Sequence, residues 1–420
     1  MSDYQKLPAP TPMAGPDKPV DWMLAYKFNA GSFPGYLDDE GKHEPEKKDL
    51  PGRFGGRTKE YHSGMSQSYV YASSDNPSFQ RGDGAIGDSY VDPLSATFAQ
   101  VYEKDGYNYI LWNDQFYDNP IETKGGPYGH SKGMAAWNQD GEGFVLQVST
   151  PSWPASGNHN ISRNSPDTKE PDSNTLGCVN DDDIEVAQHF FALKLTKDDL
   201  LTVLEGLYNS SVVTDTYQKA LCNVETSPDD IKDAVYKLGK KSKSTEVFMA
   251  KLSSGITFIS KPSYLAVPPW QMISAKLDGL DLRVVSWWAN PPIYSTKAGE
   301  IPGCWGPDLG TPGDVDIALT GEWDGTSFSV IGADGKNSNH AKLGISKDSS
   351  RPISIFGDEN QQGALAPGYA YEGQKCDSSQ NGRGGTFYVL ENEDMWKAMT
   401  ALFKGSTAGK DKASTNLAGT

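Results

Sequence analysis

The sequence predicts a mixed α/β fold, with sheets carrying flanking helices and a chain divided into two related halves. Three observations carry that prediction. Strand-like runs of aromatic and β-branched residues recur along the chain, amphipathic helical stretches interrupt them, and one hairpin pattern occurs twice, half a chain apart. Composition agrees, because 44 glycines and 27 prolines among 420 residues supply turns for many short strands. A chain this long has ample core. Its longest apolar runs, Phe190 to Leu195 and Tyr264 to Pro269, fall far short of the ~20 residues a membrane helix needs.

The elements follow in order. Residues 1–19 are polar and proline-rich, show no charged-then-apolar secretory pattern in this numbering, and are expected to be mobile. Strands are expected at Asp21 to Phe28, Gln67 to Ser73, Tyr107 to Asn113, Gly143 to Ser149 and His189 to Leu195. Asp38 to Lys59 and Ser156 to Thr175 read as long surface loops. A helix over Lys197 to Tyr208 is marked by the Thr196 cap, by Asp199 three residues on, and by the stripe Leu200, Leu201, Leu204, Leu207. Ser227-Pro228-Asp229-Asp230 marks a second helix start, with serine as cap and proline in the first turn. Later strands fall at Leu282 to Trp288, Val315 to Leu319, Phe328 to Ile331, Ile353 to Phe356 and Thr386 to Leu390. The last helix, Glu393 to Lys404, puts Met395, Trp396, Met399, Leu402 and Phe403 on one face and stops at Gly405. The expected division is a flexible segment 1–19, a first half 20–209, a second half 210–405 and a flexible tail 406–420.

Charge and motifs exclude several functions. With 38 basic against 55 acidic residues the net charge is -17, which repels polyanions at neutral pH and argues against an ordinary basic DNA-binding module. Acid relieves that repulsion by protonating carboxylates. Cys178, Cys222, Cys304 and Cys376 form no C-x-x-C pair, so zinc-ribbon and thioredoxin motifs are absent, while two disulfides or four thiols both remain open. Gly82 to Gly87 matches G-x-G-x-x-G without the strand before it or the helix after it that a dinucleotide site requires. Asp181-Asp182-Asp183 lacks the glycine and glutamate of a calcium loop. Trp270, Trp287 and Trp288 are assigned to packing, and His43, His62, His159 and His189 to polar surroundings, a loop or a buried strand.

Two histidines remain. His130-Ser131-Lys132 and His340-Ala341-Lys342 share the spacing His-x-Lys, which on a strand puts imidazole and ammonium on one face. Each is followed by a short apolar stretch, turn residues and a second strand. Two such hairpins related by a pseudo-two-fold axis would bring both pairs into one cleft. That set suits a phosphodiester: a neutral histidine attacks phosphorus, a protonated one donates to the leaving oxygen, and lysines balance the charge on phosphate without a metal.

At these residues the sequence resembles the deoxyribonuclease II family, acid endonucleases of the wider phospholipase D-like superfamily. Pro19-Val20-Asp21-Trp22 with Tyr26-Lys27 is similar to its opening strand, Leu111-Trp112-Asn113-Asp114-Gln115 to its Tyr-Asn-Asp-Gln segment, and Gly129-His130-Ser131-Lys132-Gly133 to its first catalytic motif. Ser149-Thr150-Pro151, Asn174 to Val179, His340-Ala341-Lys342, Gly357-Asp358-Glu359-Asn360 and Arg383-Gly384-Gly385-Thr386 follow in the family's order. The animal members' early cysteine is missing, and Gly344 and Tyr388 stand where two others would be, so their disulfide pattern does not transfer. The resemblance implies two phospholipase D-like halves sharing one cleft. It also implies a DNA substrate and cleavage in acid without metal or other cofactor, giving 3′-phosphate and 5′-hydroxyl ends through a phosphohistidine. By analogy His130 is the nucleophile and His340 the acid and later base, the reverse assignment staying open. Lys132 and Lys342 hold phosphate oxygens, while Asn113, Asp358 and Asn360 either orient a histidine, bind phosphate or make local turn hydrogen bonds. No membrane partner is expected, and a homodimer, the compartment and the cysteine pairing are left open. The alternatives are another phosphodiesterase of the superfamily and a catalytically silent DNA-binding protein with this fold.

Overall fold

A computed structural model describes residues 6–33, 68–87, 90–116, 125–161, 185–289, 291–333 and 335–409. The first sheet is built from β1 (Trp22–Lys27), β2 (Tyr69–Ser73), β3 (Gln80–Arg81), β4 (Asn108–Asn113), β5 (Lys132–Trp137), β6 (Gly143–Val148), β7 (Gln188–Leu195) and β8 (Cys222–Asn223). Helix α1 (Pro93–Tyr102) precedes β4, and α2 (Lys197–Asn209) follows β7. The strand order is β3-β2-β1-β7-β6-β5-β4-β8, antiparallel throughout. After α3 (Asp229–Val235) come β9 (Phe248–Lys251), β10 (Thr257–Lys261), α4 (Pro269–Lys276), β11 (Leu282–Val285), β12 (Val315–Ile317), β13 (Thr320–Trp323), β14 (Thr326–Ser329), β15 (Leu343–Ser346), β16 (Ile353–Gly357), β17 (Gly385–Glu391) and α5 (Glu393–Leu402). The second sheet runs β12-β11-β15-β16-β17-β10-β9, with β13 and β14 as a separate hairpin.

Five strands correspond between the sheets: β4-β5-β6-β7-β1 in one and β11-β15-β16-β17-β10 in the other, all antiparallel. Their helices occupy matching places, α1 and α4 before β4 and β11, α2 and α5 after β7 and β17.

Alternation along the strands decides the layering. In β1, Leu24 and Tyr26 enter a core shared with Phe258, Phe356 and Tyr388 of the second sheet, while Met23 and Ala25 face a separate cluster with Leu94 and Phe98 of α1. The shared core is completed by Leu200, Val203, Leu204 and Leu207 of α2 and by Met395, Met399 and Leu402 of α5. At its centre Phe191 stacks on Phe356 with centroids 4.2 Å apart. The far face of the second sheet is covered by Trp270, Met272 and Ile273 of α4. Both faces of the central strands are therefore buried, which is why they read as apolar runs.

Several sequence expectations change. Residues 6–19 are not loose but lie against α1 and the β5–β6 turn: Met13 N donates to Thr97 Oγ1 at 2.9 Å, Thr11 N to Gln100 Oε1 at 3.1 Å, and Leu7 N to Gln139 Oε1 at 3.1 Å. Ser227 does not cap α3, which has no side-chain cap; its hydroxyl accepts from the Trp137 indole at 2.9 Å. Helices α1 and α4 were not expected. Each opens with proline, and their buried faces carry little helical periodicity, because α1 is buried through nearly its first two turns. In the tail, Thr407 bridges to Ala318 and binds Arg283, while 410–420 lie outside the described residues. So do the Asp38 to Lys59 loop, the Asp181 to Asp183 run, His43, His62, Cys178 and most of the Ser156 to Thr175 loop. Cys304 and Cys376 form a disulfide, and Cys222 is a buried thiol.

Candidate active site

The site lies at the sheet ends where β5, β7 and β17 begin and β1, β6, β10 and β16 finish. Register places Lys132 opposite Asn113, so Asp114, one residue beyond β4, meets the lysine ammonium. Lys132 Nζ donates to one Asp114 oxygen at 2.7 Å and Arg383 Nη2 to the other at 2.9 Å, with Lys132 and Asp114 fully buried. Burial opposes a charge on Asp114, but Lys132 and Arg383 overcome it and hold the carboxyl well below the usual carboxylate range.

Main-chain hydrogen bonds join segments of the two sheets at both motifs. His130 N donates to Gly384 O at 2.7 Å, and Arg383 donates to Tyr128 O at 3.1 Å and Gly129 O at 2.8 Å, so the first motif hangs on the entry to β17. Gly384 must be glycine, since a Cβ there would fall 2.1 Å from Ser210 O. Conversely, His340 N donates to Ala187 O at 2.8 Å, and Lys342 N to His189 Nδ1 at 3.3 Å, which hangs the second motif on the entry to β7. Two buried lysines brace these supports from matching positions. Lys27 ends β1 and hydrogen-bonds Val186 O, next to Ala187; Lys261 ends β10 and hydrogen-bonds Arg383 O, next to Gly384.

The two imidazoles differ in environment. His130 Nδ1 lies 2.8 Å from the Asp358 carbonyl, which can only accept, so Nδ1 carries the proton and the lone pair is on Nε2. Burial, then Lys132, Lys342 and Arg383, push its pKa well below the usual histidine value despite Asp114, so the ring is neutral. The reach of Lys342 to His130 links the second motif electrostatically to the first. His340 instead meets an aromatic neighbour, the Trp287 ring, at 4.5 Å and 68°. Trp287, assigned above to packing, thus packs on a candidate site residue; Trp270 is a core residue as expected, and Trp288 packs on Tyr294.

Asp358 holds the seam twice. Its carbonyl takes the His130 proton donor, and its carboxylate accepts from Thr386 N at 3.0 Å, from the Thr386 hydroxyl and from Ser131. Burial pushes its pKa up to about 6, against the pull of those hydrogen bonds and of Lys132. Asn360 sits alongside, its amide donating to Gln362 at 2.9 Å. Asn113 is turned away, holding Thr150 O at 3.2 Å and Trp153 O at 3.1 Å, so the structure uses it to fix that loop. The residues unforeseen as site members are Asp114, Lys261, Glu359 and Arg383; His189, read as a buried strand histidine, is one that also receives the Lys342 amide. Each is defined by a partner distant in sequence.

Glu359 is completely buried 3.9 Å from Lys261, and burial pushes its pKa up to about 8 against the pull of Lys261 and Arg383. A raised carboxyl means that, between the ordinary glutamate value and about 8, the folded chain keeps a proton the unfolded chain has lost; stability therefore falls as pH rises through that window. Asp358 has the same sign up to about 6. His130 and His189, the latter pushed down to about 3 by burial and Lys342, act oppositely below their ordinary values, where only the unfolded imidazoles take protons. The signs cancel in mild acid and leave a net loss between about pH 6.5 and 8, on the order of 2 kcal/mol. Thermal melts should show a lower Tm at pH 8 than at pH 5.5, and Glu359→Gln, neutral throughout, should flatten the difference; an unchanged slope in that variant would refute the assignment.

Among the described residues no group of three or more His, Cys, Asp or Glu is arranged to hold a metal ion, and no helix is long and apolar enough to cross a membrane. A search of curated proteins returned no match. A family model described as Deoxyribonuclease II matches residues 48–300, more than half of the chain, including Asp114, His130 and Lys132 but ending before His340. The chain therefore belongs to the deoxyribonuclease II family, whose reaction is the hydrolysis of DNA.

Proposed function

We propose that this deoxyribonuclease is a metal-independent acid endonuclease working through a phosphohistidine, with residues 20–209 and 210–405 as pseudo-symmetric phospholipase D-like halves around one cleft. The observation that carries the reading is the His130 ring: neutral, with its proton fixed on Nδ1 and its lone pair on Nε2. Nε2 bonds to phosphorus while the bond to the 5′-oxygen breaks, and protonated His340 gives that oxygen its proton. Water, giving a proton to the now neutral His340, then displaces Nε2 and leaves a 3′-phosphate. Lys132 and Lys342 supply positive charge to the phosphate oxygens.

The test is supercoiled plasmid nicking at pH 5 in excess EDTA, with an acid-labile, base-stable phosphoryl adduct trapped on His130. Undiminished nicking with chelator and a bell-shaped pH profile near about pH 5 are expected; an absolute need for magnesium would overturn the mechanism. Trp287 acts here as a positioning residue for His340. Trp287→Ala should lower kcat roughly 10-fold with little change in KM, because the ring that packs on His340 at 4.5 Å is lost, and Trp287→Phe should recover most of it. A change in KM alone would count against this role.

A further inference from the structure

The chain is strongly acidic, yet one surface beside the first motif is not. Lys237, Lys240, Lys241 and Lys243 stand exposed within seven residues, and none pairs with a carboxylate among the described residues. Their neighbours Lys219 and Lys232 differ in this, being paired with Glu225 and Asp229 at 4.0 and 3.8 Å. Lys241 Nζ sits 4.7 Å from the centre of the Tyr128 ring, and Tyr128 is two residues from His130.

The lysine loop is fastened to the strands that build the site. Ser211 accepts Gly129 N through its carbonyl at 2.8 Å and Ser242 N through its hydroxyl at 2.9 Å, so one residue fixes both the catalytic turn and the loop. Gly239, with φ +76°, lies so close to Thr214 that a Cβ would sit 2.8 Å from its carbonyl oxygen. Thr214 in turn donates to Leu111 O on β4, the strand that delivers Asp114. Between loop and sheet is a shallow cavity of about 330 Å³ lined by Tyr128, Tyr217, Tyr236 and Lys240. At its rim Tyr217, 87% exposed, stacks on Tyr236, 41% exposed, with centroids 6.1 Å apart and planes 22° from parallel. Asp215, the acidic group on this rim, has its carboxylate turned to Tyr217 N at 2.9 Å. Exposed tyrosines flanked by unpaired lysines are what a strand of nucleic acid requires, a π face for a base and cations for its phosphates.

We propose that Lys237, Lys240, Lys241, Lys243 and the Tyr217–Tyr236 pair form a second DNA contact surface, gripping the strand as it leaves the scissile phosphate by way of Tyr128. This rests on the proposed nuclease reading for its substrate and extends it to nucleotides beyond the reacting one. The chain carries a net charge of -17 at pH 7, so this locally cationic surface holds DNA where the rest of the chain repels it.

The test uses the full chain with four lysines changed to glutamine, the matching arginine variant, and Tyr217→Ala. Binding of a fluorescent single-stranded 20-mer is measured at pH 5 over a salt series. Turnover of thymidine 3′-(p-nitrophenyl phosphate), too short to reach the loop, reports the chemistry separately. The glutamine variant should bind the 20-mer at least 10-fold more weakly, with a log-log salt slope reduced by roughly 2 to 3. Its mononucleotide turnover should be unchanged, the arginine variant should bind as the parent does, and Tyr217→Ala should cost about 5-fold. Unchanged 20-mer affinity and slope in the glutamine variant overturn the proposal, as does equal loss of mononucleotide turnover or failure of arginine to restore binding. If the parent chain cleaves neither substrate but the variant still loses binding, the nuclease mechanism falls and this surface stands.

Discussion

Replacing His130 with alanine should lower plasmid nicking at pH 5 by ~10⁴-fold or more, the range seen when a covalent nucleophile is deleted, while DNA binding stays within a few-fold of the parent. The expectation follows from position. His130 presents Nε2 from a ring that cannot rotate, since Nδ1 is tied to the Asp358 carbonyl and the backbone N to Gly384 O. Alanine removes the proposed attacking atom and the Nδ1 tie to Asp358 O but keeps the backbone tie to Gly384 O, so the fold and the lysines should persist. His340→Ala should be nearly as damaging with natural DNA, yet recover with a p-nitrophenyl leaving group, which departs without a proton. That contrast separates nucleophile from acid: if His130→Ala is the variant rescued by the activated leaving group, the two roles are exchanged.

The second large effect is on stability. Asp114→Asn should destabilise the chain by about 3–5 kcal/mol in urea melts, because it leaves Lys132 and Arg383 buried against a neutral amide. Both cations also belong to the proposed site, so activity should fall with it. Since the Asp114 carboxyl is held below its ordinary value, its contribution is complete at neutral and mildly acidic pH and is lost only as pH drops below the normal aspartate range. A loss under 1 kcal/mol would mean that water or rearrangement compensates the cations.

Legibility of the sequence followed the range of the interactions. The capping box at Thr196 and Asp199 is a contact over three residues, and both the box and the helix are where the sequence puts them. His-x-Lys was visible because its chemistry lies within three positions and recurs. Asp114 was read only as part of a family segment, because its meaning depends on Arg383, 269 residues away, and on register with Lys132. Trp287 resembled a core residue beside Val284 and Val285, and nothing local distinguishes an indole facing a histidine from one facing leucine. Asn113 makes the local hydrogen bonds that its reading left open: its neighbour carries the charge, while its own amide secures a loop.

The supports of both histidines are peptide carbonyls: Asp358 O and Gly384 O for one, Ala187 O for the other. Alanine scanning cannot delete them, because every substitution keeps the group that does the holding. The proton position on His130 is thus written into the path of the chain and not into any replaceable side group. Drift at residue 187 can proceed without loosening the imidazole it supports, provided the backbone keeps its course, whereas the approach of Ser210 O confines position 384 to glycine. Only an alteration of the peptide bond itself, such as an amide-to-thioamide exchange at position 358, would expose that dependence.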